Sequence, residues 1–349
     1  MWIVNYLTQF CRHFQLQFKN EPPAVLHYYS TKQCNMRCRH CNEELSDSKG
    51  DLTFDEIKEL SNNAGYIESI GMGGGEPFLR PDLVEICELF TTNNGVKLLT
   101  LHTNGFATDK IYPTVREVLE KLPRTVNLHV GISLDGFAST HDYIRREGAF
   151  EKAMQTAKQL TELRDEFSNF TLYFNATLND LNYKELPALA KFCRQEFQAR
   201  LECSVLVGKG RDESISLPET QIVDDIIEQI YSEHDSSRLS TIFRAVLKDV
   251  IYRTGLKKRQ VVPCQAGIMW GTLCATGEVY ICNKFPPIGN LRDNTYKEIW
   301  SGDEAKRQRR VIKKGKCACV DSCCTAISLQ PYWKLPFMVI RQGIKQYIQ

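Results

Sequence analysis

The sequence predicts an α/β protein, a partial (β/α)6 TIM-like barrel followed by a C-terminal cysteine-rich domain. Two observations support this fold class. Between about 25 and 208, six strand-like runs alternate with helix-like runs at about 30-residue spacing, a pattern typical of parallel strands joined by helical crossovers. Ten of the 14 cysteines fall in three clusters, three at 34–41, three at 264–282 and four at 317–324.

The predicted strands cover 25–30, 66–72, 97–102, 127–134, 171–177 and 202–207. A capping box, Thr53-Phe54-Asp55-Glu56, opens the first helix. The second begins at Pro81 and ends at Asn94-Gly95, and others are predicted near 111–122, 150–166 and 183–198. Six units instead of eight predict an incomplete barrel, with its functional loops at the carboxyl ends of the strands.

We divide the chain into an N-terminal amphipathic segment at 1–22, a barrel core at 23–210, bridging helices at 211–260, the cysteine-rich domain at 261–326 and an apolar-basic tail at 327–349. The net charge of +2 gives no reason to expect nucleic acid as a partner. No run approaches 18 apolar residues, and the start lacks the basic lead of a signal peptide. We therefore expect a cytoplasmic protein.

The first cysteine cluster follows the first strand, where a barrel places its chemistry. Cys34, Cys38 and Cys41 form a C-x3-C-x2-C pattern. Thiolates are the usual ligands of iron–sulfur clusters, which normally take four. Three local ligands leave one iron open to a small molecule. A zinc knuckle or a disulfide is the alternative, although zinc sites usually pair C-x2-C with a second pair or with histidines.

This pattern resembles the signature of the radical S-adenosylmethionine (SAM) enzymes. The resemblance implies a [4Fe-4S] cluster whose open iron binds SAM and cleaves it reductively to a 5′-deoxyadenosyl radical, which abstracts hydrogen from a substrate. Later strand ends match the same family at Gly74-Gly75-Glu76-Pro77, at Thr103-Asn104-Gly105 and at Ile132-Ser133-Leu134-Asp135-Gly136. The SAM-binding residues implied by the resemblance are His40, Gly74, Gly75, Glu76, Pro77, Asn104, Ser133, Asp135 and Arg145.

The resemblance also assigns individual roles. The glycine-rich run would hold the SAM amino group, Ser133 and Asp135 would lie near the ribose, and Arg145 would pair with the carboxylate. The backbone of His40 would face adenine. Two plainer interpretations remain open at this point: the glycine run is a tight turn, and Arg145 forms a surface salt bridge.

The late cysteines resemble the SPASM domain and the shorter twitch extension, which hold auxiliary iron–sulfur clusters. Cys264 precedes a G-x4-C motif ending at Cys282, and a compressed C-x-C-x3-C-C array ends at Cys324. This array departs from the seven-cysteine SPASM pattern, so we expect one auxiliary [4Fe-4S] cluster. The expected ligands are Cys264 and Cys282 with two of Cys317, Cys319 and Cys323. Cys274 is predicted to lie within a strand and to pack there, and zinc remains the alternative metal.

By this resemblance the chain is an oxidoreductase or another radical SAM enzyme acting on a small molecule, either a sugar, a nucleotide or a lipid-linked envelope precursor. The alternative is maturation of a ribosomally made peptide or a protein side chain. Only 33 residues precede Cys34, too few for a leader-binding domain. A non-catalytic iron–sulfur or zinc protein is the alternative of another class, and it predicts no SAM turnover.

Two surfaces suggest partners. Seven cations lie between Lys306 and Lys316, which fits either a solvated helix face or docking of an acidic electron donor such as flavodoxin or ferredoxin. Both ends of the chain combine apolar and basic residues. They are expected to cover an open end of the barrel, or alternatively to make a peripheral membrane contact.

Overall fold

The computed structural model describes residues 16, 22–206, 208–232, 238–315, 317, 319 and 322–348. Apart from 16 and 22, the predicted N-terminal amphipathic segment lies outside these residues. Nine strands are found in the described part: β1 (Val25–Thr31), β2 (Ser69–Gly74), β3 (Leu98–Thr103), β4 (Asn127–Ser133), β5 (Phe170–Leu178), β6 (Leu201–Val205), β7 (Trp270–Leu273), β8 (Glu278–Tyr280) and β9 (Gly289–Asn290).

The helices lie between and after these strands, and the first six belong to the barrel. They are α1 (Phe54–Ala64), α2 (Leu83–Asn94), α3 (Thr108–Lys121), α4 (Ala138–Ile144), α5 (Ala149–Glu166) and α6 (Leu186–Phe197). The later ones are α7 (Thr220–Ser232), α8 (Arg238–Lys257), α9 (Tyr296–Ser301), α10 (Asp303–Lys313), α11 (Ser322–Leu329) and α12 (Leu335–Ile348).

A single sheet runs through the described molecule in the order β6-β5-β4-β3-β2-β1-β7-β8-β9. The first six strands pair in parallel, each with its neighbour in sequence, as the βα alternation predicts. One face of this sheet packs against the helices: Leu26 and Tyr28 of β1 are fully buried there, while Val25, His27 and Tyr29 alternate onto the other face. That second face lines the inside of the partial barrel and is called the lumen face below.

The cysteine-rich region adds strands directly to the edge of the barrel. β7 pairs in parallel with β1, and the Val25 amide donates to the Met269 carbonyl at 2.9 Å. β8 and β9 then continue the sheet in antiparallel fashion. Cys274 was predicted to lie within a strand, but it lies after the end of β7. It opens the β7–β8 turn, where Gly277 has a φ of +93° that favours glycine.

The end of the chain forms a helix pair with its own small core. α12 packs on α8 through Leu335 and Val339, which meet Ile242 and Val246. The outer side of α12 leaves Phe337 exposed by 67%, with Ile340 and Ile344 nearly as exposed. A search of the described residues finds no helix long and apolar enough to cross a bilayer.

Candidate functional site

The three clustered thiols lie on the loop that follows β1, at the carboxyl edge of the sheet. Cys38 is buried against Met36 and Ala149, and Cys34 and Cys41 are half-buried beside it. Burial raises the pKa of the Cys34 thiol to about 11. Thiols held in this way release protons when metal binds, because the thiolate is the ligand.

The glycine-rich turn after β2 is hydrogen-bonded to this loop through its backbone. The Gly75 amide donates to the Thr31 carbonyl and the Glu76 amide donates to the Gln33 carbonyl, both at 2.8 Å. A Cβ on Gly75 would stand 2.1 Å from the Gln33 oxygen. Only glycine therefore lets the turn approach the loop so closely, which gives this run a positioning role beyond that of a tight turn.

The Glu76 side chain is turned inward and organises the end of β3. Its carboxylate accepts hydrogen bonds from the Thr103 hydroxyl at 2.8 Å and from the Asn104 amide at 2.7 Å. Asn104 in turn donates through Nδ2 to Asn35 at 2.7 Å, with Cys34 Sγ 3.9 Å away. Burial raises the pKa of Glu76 to about 7. The side chain thus braces Asn104 against the cysteine loop.

A buried charge cluster lies on the other side of the loop. Arg145 Nε donates to Asp135 Oδ2 at 2.6 Å, and Asp135 also accepts from the Thr177 amide. Both side chains are buried, so this is not the surface salt bridge considered above. Although burial opposes ionisation, the charge of Arg145 holds the pKa of Asp135 at about 2. Arg145 Nη1 also lies 3.9 Å from Cys38 Sγ.

His40 joins the same cluster. Its Nδ1 lies 3.8 Å from Asp135 Oδ2 and is buried without a hydrogen-bond partner among the described residues. Burial lowers the pKa of His40. Ser133, which ends β4, and Pro77, which opens a short turn after Glu76, complete the predicted set at the same edge of the sheet. The predicted residues are therefore gathered around the cysteine loop.

Sequence reasoning missed the segment that covers this loop. Arg211 donates to the Cys41 carbonyl at 3.2 Å, and the amides of Arg211 and Asp212 donate to the Cys41 and Arg39 carbonyls. Arg39 stacks over Tyr143 and pairs with Asp212 at 3.4 Å. No sequence signal marks Arg211 and Asp212, because they are distant from the loop along the chain and belong to no recognised motif.

The late cysteines converge in a second group. Burial raises the pKa of Cys264 to about 11, and the neighbouring Cys282, Cys319 and Cys317 raise it further. Cys282 likewise has Cys319 and Cys317 as neighbours. The side chain of Cys323 lies outside the described residues. Cys264, Cys282, Cys317 and Cys319 are thus four thiols in one place, the number that a cubane takes.

The donor chemistry of both groups fits iron–sulfur clusters. Each group offers thiols alone, which are the ligands that such clusters require. Over the residues that the structure describes, no three Cys, His, Asp or Glu side chains stand close enough to hold a single metal ion. Zinc also takes four thiolate ligands, so it stays the alternative metal named in the sequence analysis.

The lumen face carries hydrogen-bonding side chains. His27 and His129 occupy one row, and His102 and Tyr173 lie two residues further along their strands. Burial, together with His27, lowers the pKa of His102 to about 4. Tyr29 reaches the auxiliary side, where its hydroxyl accepts from Asn283 Nδ2 at 3.2 Å, next to Cys282.

The basic run is only partly a free surface. In α10, Lys306 and Arg307 pair with acids one turn earlier, and Arg309 turns inward to the Trp300 carbonyl at 2.8 Å. Arg310 and Lys313 remain exposed. The cluster of cations is therefore smaller than the sequence count suggests.

Two family models match the chain. One, the radical SAM superfamily, covers residues 28–193, from β1 into α6. The other, the SPASM iron–sulfur cluster-binding domain, covers 261–325 and contains the late cysteines. These matches correspond to the two halves of the site.

Curated relatives are similar over most of the chain. The AdoMet-dependent heme synthase of Methanosarcina barkeri is 26% identical, over 84% of this chain and 87% of the relative. The mycofactocin maturase MftC of Mycobacterium tuberculosis is 27% identical, over 87% of this chain and 78% of the relative. Among solved structures, anSMEcpe with bound AdoMet and a peptide has a TM-score of 0.60 at 17% identity, covering 94% of this chain and 98% of that one. The last likeness shows the fold.

Proposed function

Because this chain is a radical SAM enzyme with a SPASM domain, we propose that it abstracts hydrogen from a small organic molecule held against the lumen face. The observation that carries this proposal is the set of polar side chains on the lumen face, on the same sheet whose carboxyl edge carries the first thiol group. SAM and the [4Fe-4S] clusters supply reductive cleavage to a 5′-deoxyadenosyl radical when bound. The protein binds and orients SAM and the substrate, and it excludes water from the site.

For the SAM side, we propose that Cys34, Cys38 and Cys41 hold the first cluster. The turn at Gly74 and Gly75 would present backbone groups to the SAM amino group, and Asn104, Ser133 and Asp135 would border its ribose. Arg145 is already paired with Asp135, so its remaining guanidinium nitrogens are what it can offer a carboxylate. A planar fork can serve two carboxylates at once.

For the auxiliary side, we propose Cys264, Cys282, Cys317 and Cys319 as the ligands of one cluster. Their mutual proximity supports this set. Cys323, the third cysteine that the sequence analysis considered for the last two positions, has its side chain outside the described residues.

For the substrate, we favour a small molecule that carries several carboxylates. His27, His102, His129 and Tyr173 provide hydrogen-bonding groups on one surface. Several relatives are named for tetrapyrrole chemistry, including the heme synthase and an Fe-coproporphyrin III synthase of the same organism, 27% identical over 88% of this chain and 84% of the relative. Tetrapyrroles of that class carry carboxylates, so this choice replaces the sugar, nucleotide or envelope precursor as the first candidate.

Peptide maturation is the second candidate. The similarity to the maturase MftC extends over most of the chain, and that observation favours it independently. An acidic flavodoxin or ferredoxin remains our proposed electron donor, docking on the exposed cations of α10. Cytoplasmic location stays a prediction.

Anaerobic reconstitution tests the proposal. With dithionite and SAM, the protein should form 5′-deoxyadenosine. Adding iron-coproporphyrin III should increase the rate of 5′-deoxyadenosine formation, and the mass of the tetrapyrrole should fall. Cys38→Ala should abolish 5′-deoxyadenosine, while Cys282→Ala should leave uncoupled cleavage. His102→Gln should retain uncoupled cleavage and lose the substrate-dependent increase. Stimulation by a co-expressed precursor peptide in place of the tetrapyrrole would favour the second candidate, and absence of any SAM turnover would refute both.

A further inference from the structure

A cavity of about 670 Å³ lies away from the SAM side of the molecule. It opens between the segment 263–268, helix α10 and the segment 331–333. The segment 263–268 leads into the amino end of β7, whereas the cysteine loop follows the carboxyl end of β1, which runs parallel to β7. The cavity thus lies toward the opposite edge of the sheet. Its volume falls within the range of small-molecule sites.

The charge of this cavity is one-sided. Arg309, Arg310 and Lys313 line it, and no aspartate or glutamate does so within the part of the chain that the structure describes. Among the described residues, none of these three cations pairs with a carboxylate. Arg309 is half-buried, and its guanidinium donates hydrogen bonds to the carbonyls of Gly267 and Trp300. A cation removed from water without a counter-charge is costly, so an anion in the cavity would be stabilised strongly.

The neutral polar groups in the wall are also incompletely satisfied. Gln260 Oε1 accepts from the Cys264 amide, but its buried Nε2 has no partner among the described residues. Gln265 Nε2 donates weakly to the Pro263 carbonyl, and its buried Oε1 has no partner there. Buried polar atoms in native proteins are usually paired. Two orphaned amide ends in one wall are therefore a second indication of a polar ligand.

Cys264, one of the proposed ligands of the auxiliary cluster, also lines the cavity. The iron content of cation variants therefore separates cations that serve the cluster from cations that bind an anion.

We propose that this cavity binds an organic anion with a flat apolar body. Its carboxylate or phosphate pairs with Arg309, Arg310 and Lys313, and its body lies against the aromatic rings of the wall. Trp300, Tyr332 and Trp333 provide those rings, and Trp333 is 58% exposed at the opening. This site shares none of the SAM-side residues, and it shares Cys264 with the auxiliary side.

Matched pairs of probes test the proposal on the reconstituted protein. FMN and riboflavin share a ring system and differ in the phosphate, and 2-naphthoate and 2-naphthalenemethanol differ in the carboxylate. Isothermal titration should show at least one anion binding about tenfold more tightly than its neutral counterpart. Which pair shows the difference identifies phosphate or carboxylate as the preferred group. Binding of neither anion at about 1 mM would overturn the proposal.

Two double variants locate the effect. Arg310→Gln with Lys313→Gln removes two cavity cations that make no described side-chain bond, and should weaken the anion about tenfold while leaving the neutral probe unchanged. Arg307→Gln with Lys314→Gln removes two cations of the same region that do not line the cavity, and should change nothing. Equal weakening by both would refute the site. Loss of iron in the first double variant would show that the cations serve the auxiliary cluster, which also refutes it.

Discussion

Replacing Gly75 by alanine tests whether the glycine-rich turn positions the cysteine loop. The added Cβ would stand 2.1 Å from the Gln33 oxygen and 2.6 Å from the Gln33 carbonyl carbon. Comfortable contacts between such atoms require about 3.5 Å, so the loop or the turn must move by about 1 Å. Gln33 directly precedes Cys34. The displacement therefore passes straight to the first of the three thiols, and overpacking of this kind costs about 1–3 kcal/mol of stability.

The assay compares iron content and uncoupled SAM cleavage in Gly75→Ala and Gly73→Ala. A Cβ on Gly73, two residues earlier and within β2, meets nothing within 4 Å. We expect Gly75→Ala to lose about half its iron, since the auxiliary thiols are untouched. Its rate of 5′-deoxyadenosine formation should fall by about 100-fold, because a shift of about 1 Å can have that effect. Equal behaviour of the two variants would refute the close-approach argument.

Three further predictions concern other parts of the molecule. Asp135→Asn should lower the free energy of unfolding by about 3–5 kcal/mol in urea, because it leaves Arg145 buried and unpaired. Burial raises the pKa of Glu76 to about 7, so protonation of this side chain stabilises the folded state. That stabilisation is complete below pH 4.5 and is lost as the pH rises through 7. The free energy of unfolding of the wild type, measured relative to Glu76→Gln, should therefore fall by about 3 kcal/mol over that window. If α12 makes the peripheral membrane contact that the sequence analysis gave as an alternative, Phe337→Ser with Ile340→Ser should reduce co-sedimentation with anionic liposomes at least about tenfold, because both side chains are exposed on α12.

Each of these has its own control. A double change to Asp135→Leu and Arg145→Met should recover stability but not SAM cleavage, and a cost below about 1 kcal/mol for Asp135→Asn would contradict the buried pair. The pH comparison is made as a difference because the lowered pKa of His102 acts in the opposite direction, destabilising the fold as pH falls below about 6.5. Leu217→Ser, which changes another exposed apolar position, is the control for liposome binding. If it reduces binding as much as the α12 variant does, the role of α12 is contradicted.

The barrel was predictable because each of its signals is local. Thr53 caps α1 with the expected capping box, and α2 ends at Gly95 in the left-handed conformation. The six strands were predicted to within a few residues, since alternating buried positions recur along each of them. Most of the residues proposed for the SAM side lie in short motifs after a strand, whereas Arg145 follows the end of α4, and their roles stay a prediction.

What the sequence could not predict depends on contacts between distant segments. The pairing of β7 with β1 joins residues more than 240 positions apart, and a four-residue strand carries too little pattern to specify its neighbour. The sequence analysis missed the ion pair of Arg145 with Asp135 because the family resemblance assigns both residues to contacts with SAM. Cys274 was placed within a strand because its apolar neighbours continue the alternation, whereas the turn begins there.

The continuity of the sheet bears on how the two halves of the site work together. If the auxiliary region were attached only through a linker, its distance from the SAM side would vary. Instead β7 is hydrogen-bonded to β1, and the hydroxyl of Tyr29 on β1 is bonded to Asn283 beside Cys282. Since Tyr29 lies only five residues before Cys34, one strand connects both thiol groups. Tyr29→Phe removes that bond without removing the ring. It should leave the rate of SAM cleavage unchanged and lower the amount of substrate converted per SAM cleaved, which is the coupling. Unchanged coupling would show that the strand pairing alone fixes the two halves.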